Sequence, residues 1–440
     1  MQLRKLVTQI ADGRTTPVDL AEEMLARIER YDDHVNAYVR VDRPRVLEQA
    51  HLCKPEPRGR RTLHAVPLAI KDLLDIEGEV TSAASNVFAN NVATRDAEVI
   101  RRLRECGAVF LGKTNLHEFA YGGSGIISNR GPARNPWDTT RITGGSSSGS
   151  AAAVAAGLCV AAVGTDTAGS IRLPASFCGI VGFKPTYGRI STDGVVPLSV
   201  SYDHVGPMTR SVDDARILFQ AMSGEEAPFS VPGRKLRIGI PERYFYRDLE
   251  SEVGKVMSSA LAELEKAGHT LIEVDPPVEE DRTLVSFESY VYHAKWVDRS
   301  PELYQPETLR RILTGAKISQ ETAAQARAKL KTERATASDI FTSVDGLLTP
   351  TSPVLPARIE ELLANPDTLR QRELVMLRNT RLFNVLGVPA ISLPWDLAAC
   401  GLPVGIQLAA APGKDFELLA IAEEFEILAP WQGRTPPGFD

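Results

Sequence analysis

The chain has 440 residues, enough for one large α/β domain or two or three ordinary ones, and at 43% hydrophobic it can bury a substantial core. Its net charge of −6, with 50 Lys and Arg scattered rather than gathered in blocks, leaves no basic footprint for nucleic acid. No apolar run approaches the roughly 18 residues of a membrane span, and charges interrupt the N-terminal stretch MQLRKLVTQIADGRTT, so a cytoplasmic protein without a membrane anchor is expected.

In chain order, residues 1–45 contain an amphipathic helical pattern. Val18, Leu20, Ala21, Leu25 and Ile28 recur at helical spacing behind Thr15 or Thr16 as N-cap. From Ala65 onward strand-like and helical pieces alternate. Asp96 reads as an N-cap, Val99, Ile100 and Leu103 as a helix face, Gly107 as its stop, and residues 108–111 as a buried strand. That punctuation belongs to a layered α/β protein. The stretch GEEAPFSVPGR, residues 224–234, marks a loop and a candidate boundary, after which LRIGI (236–240), a helix through Val253, Val256, Met257, Ala260, Leu261 and Leu264, and TLIEV (270–274) resume the pattern. Residues 280–340 turn charged, helical and strand-poor, whereas 346–348, 389–394 and 404–410 return to strand composition, which favours one sheet completed by distant segments. The five cysteines, Cys53, Cys106, Cys159, Cys178 and Cys400, are far apart and form no C-x-x-C pair, as expected of reduced thiols used as small hydrophobes.

Three stretches resist a purely structural reading. In VPLAIKDLLDIEG (66–78), Lys71 closes a run of apolar or small residues, a place where a lysine is ordinarily just the solvent-side end of a strand. GGSSSGSAAAVAAG (144–157) begins like a flexible linker yet runs straight into an Ala-rich helix, and it lacks the Gly-Lys-Ser/Thr ending of a phosphate loop. In VGTDTAGSIRLPASFCG (163–179) a small apolar strand leads to a turn in which Gly169 can carry the hydroxyl of Ser170 close to a reacting carbonyl, while successive backbone N–H groups can converge on an anion.

Together these three segments resemble the amidase signature family, whose members pair a lysine after an apolar strand with a GGSSGGS segment and a downstream GTDxGGS turn. The likeness extends to RLRECGAVFLGKTNLHEFA (102–120), RNPWD (134–138), GFKPTYGRIS (182–191), DHVGPMTRSVDDA (203–215) and GLPVGIQLAA (401–410), and is densest over residues 60–215. Ser170 lies 24 residues after Ser146, as in the family's serine pair. Two positions depart from the pattern: Ser148 and Ala168 stand where the family commonly has glycine.

The resemblance implies a single amidase domain, 1–440, with a mixed, mostly buried central sheet covered by helices on both sides. The signature core is then about 60–215, a peripheral helical cap about 280–340, and a C-terminal segment, 345–440, completes the sheet. It also implies a Ser-Ser-Lys relay in which Ser170 attacks the amide carbonyl, Lys71 draws the proton through Ser146 and returns one to the departing amine, and a seryl acyl-enzyme forms. The Gly145–Ser146 peptide bond would be cis. Thr167, Ala168, Gly169 and Ser170 would supply oxyanion N–H groups, with Ser147, Asp166 and Arg172 as support. Such a relay needs a lysine that is neutral near pH 7, against a usual pKa of about 10.4, and burial can lower a lysine by roughly 3 to 5 units.

Tyr121, Gly122, Gly123 and Ser124, with the 280–340 cap, are the expected lining of the substrate pocket. Arylalkyl, short aliphatic, urea-derived and dicarboxylic half-amides all suit the sequence. No cofactor or metal is expected, since no histidine sits in an H-E-x-x-H or close His/Cys cluster. His64, His117 and His204 keep a Ser-His-Asp triad in play on composition, although no G-x-S-x-G elbow accompanies them. The expected partner is a small-molecule amide, without nucleic acid or membrane, and a homodimer is compatible. The alternative is the glutaminase (A-type) component of a tRNA-dependent amidotransferase, freeing ammonia from glutamine for a partner.

Overall fold

A computed structural model describes residues 2–53, 62–226, 234–278, 280–431 and 433–439. Most of the 224–234 loop therefore lies outside the described residues. The framework is one eleven-stranded mixed sheet built from β1 (Tyr38–Arg40), β2 (Pro67–Lys71), β3 (Val109–Thr114), β6 (Ala161–Asp166), β7 (Val181–Lys184), β8 (His204–Thr209), β9 (Arg237–Ile240), β10 (Thr270–Glu273), β11 (Gly346–Pro350), β12 (Ala390–Leu397) and β13 (Pro403–Ala409). The remaining strands, β4 (Arg134–Asn135) and β5 (Asp138–Ile142), form a separate hairpin. In space the order is β1-β3-β2-β6-β8-β7-β12-β13-β11-β9-β10. The seam between chain halves is the antiparallel β7–β12 pair, Ile391 opposite Phe183, so strands late in the chain do complete the sheet.

β2 runs parallel to both β3 and β6. All three are buried along their whole length, which is why they read as continuous apolar or small runs rather than alternating ones. In open α/β sheets, ligand sites gather beyond the carboxyl ends of such parallel strands. Lys71 is the last residue of β2 and Asp166 the last of β6. The helix Ser148–Ala155 lies against this edge of the sheet, and its small residues have a steric cause: a Cβ on Gly149 would sit 2.2 Å from the Ala37 carbonyl oxygen and 2.5 Å from the Asn115 nitrogen. That close approach fixes where Ser146 and Ser147, just before the helix, must stand.

The helix Leu3–Ala11 comes first, and the expected amphipathic helix follows as Pro17–Val35, with Thr16 as N-cap in a reciprocal capping box with Asp19. Asp96 does not cap the helix Glu98–Glu105 as expected. Ala97 holds that position before Glu98–Glu105, because the Asp96 carboxylate is taken up by the Glu77 N–H (2.8 Å) and the Arg104 guanidinium (2.8 and 3.1 Å). Residues 280–340 carry the helices Thr283–Arg299, Pro306–Thr314 and Gln320–Ala335 and, among the described residues, no strand. None of the five cysteines is joined in a disulfide among the described residues, but Cys400 is exposed and so does not serve as a buried hydrophobe. No helix among the described residues is long and apolar enough to cross a membrane.

Candidate active site

Lys71 is fully buried, and its Nζ lies 2.8 Å from Ser146 Oγ, 2.9 Å from Ser147 Oγ and 2.7 Å from Thr165 Oγ1. Burial lowers its pKa from the usual lysine value to about 7, and the carboxylates of Asp166 and Asp203 recover only part of the shift. The contrast is with Lys113, equally buried, whose Nζ has an ion-pair partner 2.7 Å away in Asp72 Oδ1. Around Lys71 there are hydroxyls instead. The Ser147 hydroxyl donates to the Thr165 carbonyl (3.1 Å) and accepts from the Thr165 N–H (3.3 Å), so toward Nζ it can only accept. The Gly145–Ser146 peptide bond is cis.

Ser148, one of the two departures from the family pattern, fits because Gly125 faces it: a Cβ there would come within 2.8 Å of Ser148 Cβ. Its hydroxyl lies 3.4 Å from the Asn115 carbonyl oxygen, which accepts from it.

The turn after β6 is held from within by Asp166. One carboxylate oxygen accepts from the Gly169 N–H (2.7 Å) and the other from the Ile171 N–H (3.1 Å), while Arg172 binds both (2.9 and 3.0 Å). Arg172 also donates to the Thr380 carbonyl and the Gln407 side chain, each at 2.8 Å, and Asn384 donates to Asp166 at 2.8 Å. Distant segments thus brace the turn. Both ions are fully buried, and the Arg172 guanidinium holds the Asp166 carboxyl well below the usual range despite burial. Removing either partner of such a pair costs about 3–5 kcal/mol, because the other is left charged in the interior.

This bracing corrects one expectation. The Gly169 N–H is already donated to Asp166, which leaves Thr167, Ala168 and Ser170 as turn residues whose N–H groups have no partner among the described residues. Gly169 is required for another reason: its φ is +131°, and a Cβ would meet Thr380 Oγ1 at 2.0 Å. The Thr380 hydroxyl donates to the Ala168 carbonyl at 2.6 Å and pins the turn from outside.

Thr167, Ala168 and Ser170 line a narrow cavity of about 40 Å³, and the Ser170 hydroxyl makes no hydrogen bond to another described residue. Tyr121 and Gly122 border this cavity, whereas Gly123 and Ser124 do not. The Ser124 hydroxyl is turned to Glu373 at 2.6 Å, and the Gly123 carbonyl accepts from the Gly145 N–H at 2.7 Å, so both shape the wall from behind.

The profile of the Amidase family matches residues 19–419. The chain is 35% identical to the A-type component of the glutamyl-tRNA(Gln) amidotransferase of Cupriavidus necator, over 99% of this chain and 97% of that one. Among solved structures it is similar to an amidase at 35% identity and a TM-score of 0.89, covering 98% of this chain and all of the other (100%). It is also similar to 6-aminohexanoate cyclic dimer hydrolase complexed with substrate, at 28% identity and a TM-score of 0.89, covering 100% and 99%. The chain belongs to the amidase signature family. It is a hydrolase of C–N bonds, with the α/β fold and mixed central sheet of that family.

For this amidase the histidine alternative loses its geometry. His204 is tied to the Tyr202 carbonyl (2.7 Å) and Lys184 Nζ (3.2 Å), and neither ring nitrogen of His117 has a hydrogen-bond partner among the described residues, Glu373 standing 3.7 Å away. Burial pushes the His117 pKa down to about 3, so it stays neutral. Among the described residues no group of His, Cys, Asp and Glu is arranged to hold a metal ion.

Several residues of the site carry no signal in the motifs. Thr165 lies inside the quoted GTD segment, but only the register of β6 beside β2 reveals that its hydroxyl reaches Lys71. Arg282, Arg370, Leu377, Arg381 and Asn384 line the cavity from segments more than 100 residues downstream of Ser170.

Proposed function

We propose that this amidase hydrolyses a carboxamide to a carboxylate and ammonia or an amine through an acyl-enzyme on Ser170. The observation that carries the reading is the buried, carboxylate-free contact of Lys71 with Ser146. A neutral amine has two N–H groups and one lone pair. With Ser147 limited to accepting, Lys71 donates there and to Thr165, and its lone pair receives the proton of Ser146. The oxygen of Ser146 is then the acceptor for the Ser170 proton.

In the first step Ser170 Oγ bonds to the carbonyl carbon as its proton passes to Ser146 and the Ser146 proton passes to Lys71. Hydrogen bonds of this kind tighten as substrate fills the site, and the Ser170–Ser146 link belongs to that stage. The carbonyl oxygen, now negative, is met by backbone N–H groups of Thr167, Ala168 and Ser170; one such donor is typically worth about 10² to 10³ in turnover. The lysine proton returns through Ser146 to the leaving nitrogen, the C–N bond breaks, and water repeats the sequence on the ester. Ser147, Asp166 and Arg172 act as positioning residues.

We read residues 1–440 as one amidase domain, with 280–340 as its cap. A second reading, the glutaminase component of a tRNA-dependent amidotransferase, is favoured by the identity to the Cupriavidus necator protein. Isolation of this chain in a stable complex with a tRNA-binding partner would support it over the free-standing enzyme. For the catalytic reading, a fluorophosphonate probe is expected to add once to the protein, with intact mass and peptide mapping placing the adduct on Ser170. An unlabelled Ser170 under conditions of full turnover would reject the nucleophile.

A further inference from the structure

A second fully buried lysine stands behind the turn that follows β6, and the relay through Lys71 does not use it. Lys184 closes β7, and its Nζ donates to the Val388 carbonyl at 2.6 Å and to the Pro185 carbonyl at 3.0 Å, with His204 Nε2 at 3.2 Å. His204 opens β8 directly opposite Asp166, the last residue of β6. Its Nδ1 faces two carbonyl oxygens, of Tyr202 at 2.7 Å and of Asp166 at 3.1 Å.

A ring nitrogen set between two acceptors carries a proton, so the lone pair of the neutral imidazole is on Nε2, where Lys184 meets it. The direction of both contacts follows: Lys184 donates to the imidazole, and the imidazole donates to the backbone. Burial and the lysine beside it push the His204 pKa well down, and burial and Arg172 do the same to Lys184, so the pair never holds two charges.

The Asp166 carbonyl ends this chain. It also accepts from Asn384 Nδ2 at 3.1 Å, so two side-chain donors share one oxygen. The other end of the same trans peptide is the Thr167 N–H, which has no partner among the described residues, and Thr167 borders the cavity at Ser170. An amide is a resonance system, so hydrogen bonds to its oxygen draw charge from its nitrogen and make the N–H a stronger donor. Packing alone gives no reason for the arrangement, because a buried polar pair is often no more stable than apolar side chains of similar volume. What apolar side chains cannot supply is a donor aimed at the Asp166 oxygen.

We propose that Lys184 and His204 are positioning residues of the oxyanion site: Lys184 fixes the imidazole so that its Nδ1–H polarises the Asp166–Thr167 peptide and strengthens the Thr167 N–H as a donor to the developing oxyanion. The proposal rests on the reading of Ser170 as nucleophile and of Thr167 as an oxyanion donor.

The rate at which a fluorophosphonate labels Ser170 tests it, because the phosphoryl oxygen gains charge as the serine adds, and the rate per site is separable from the fraction of sites that label. His204→Asn and His204→Leu are nearly isosteric and both give up the lysine contact, but only the amide can still donate to the Asp166 carbonyl. Cooperative strengthening of roughly 10–30% per bond, applied to a donor worth about 10² to 10³ in rate, amounts to a factor of about two to eight. His204→Leu is therefore expected to label about fivefold more slowly than wild type, with kcat down by the same factor and KM within about twofold, and His204→Asn to label about three times faster than His204→Leu. Lys184→Met should slow labelling in the wild-type background and add nothing in His204→Asn, since the lysine acts through the imidazole. A purely structural role would instead lower the labelled fraction and leave the rate per site alike.

Equal rates per site for His204→Asn and His204→Leu overturn the proposal, and so does a Lys184→Met effect of the same size in both backgrounds. The second comparison stands even if H204L does not fold. If wild-type Ser170 is not labelled under conditions of full turnover, the nucleophile reading itself fails, and this inference with it.

Discussion

Replacing Ser170 by alanine is expected to abolish turnover, with kcat lower by about 10⁵-fold or more, the range seen when the nucleophile of a hydroxyl relay is removed. The fold should be almost indifferent. The Ser170 hydroxyl holds no other described residue, and the backbone bond from the Ser147 N–H to the Ser170 carbonyl (3.2 Å) survives the change. Alanine in place of an uncommitted hydroxyl alters stability by no more than about 0.5 kcal/mol. Thermal unfolding and steady-state rates measured on the same preparation separate the two effects. A variant that unfolds at the wild-type temperature yet retains turnover would mean that another group attacks the carbonyl.

The second large effect belongs to Lys71. Lys71→Met nearly conserves volume, so it removes the base without opening a large cavity, and kcat/KM is expected to fall by about 10⁴-fold, the upper end for loss of a general base. Its effect on stability depends on pH. The folded-state pKa of Lys71 is lowered to about 7, so between pH 7 and 10.5 the unfolded chain binds the proton more readily than the folded one. Wild-type stability therefore gains a contribution that grows as pH rises through that window and is lost as pH falls toward 7, by up to about 1.4 kcal/mol per unit. Lys71→Met should lack this contribution. Denaturant unfolding of both proteins at pH 7 and pH 9 checks it: a wild-type gain equal to that of the variant would show that the amine is not desolvated in the folded state.

The parts of the site legible in the sequence are those confined to short segments. Lys71 follows a buried apolar run, Ser146 precedes a helix too small-sided to be a linker, and Ser170 follows a glycine that only a tight turn needs. Each is a local arrangement of residue types, and so is the Thr16 capping box. What stays hidden depends on contacts across the sheet. Gln407 on β13 and Asn384 brace Arg172 through pairings more than 200 residues apart, and the arginines of the cavity come from distant segments with no common pattern. Asp96 fails as a cap because a carboxylate beside Arg104 has a better use than a helix terminus, and residue type alone cannot rank the two. Gly169 resembles an oxyanion donor because its neighbours do; only the position of the Asp166 carboxylate shows its N–H already engaged.

The central claim is that a buried, uncharged amine accepts the proton that activates Ser170, and the pH dependence of kcat/KM tests it most directly. Asp203 must be kept apart from Lys71, because burial raises its pKa to about 6 and it accepts from the Thr167 hydroxyl beside the turn. In Asp203→Asn the acid limb should therefore persist. The expected result is a kcat/KM that rises tenfold per unit at low pH and levels off with a midpoint at about 7, in wild type and in Asp203→Asn alike. A profile flat from about pH 5 to 8, or one whose midpoint survives in the residual activity of Lys71→Met, would contradict the account.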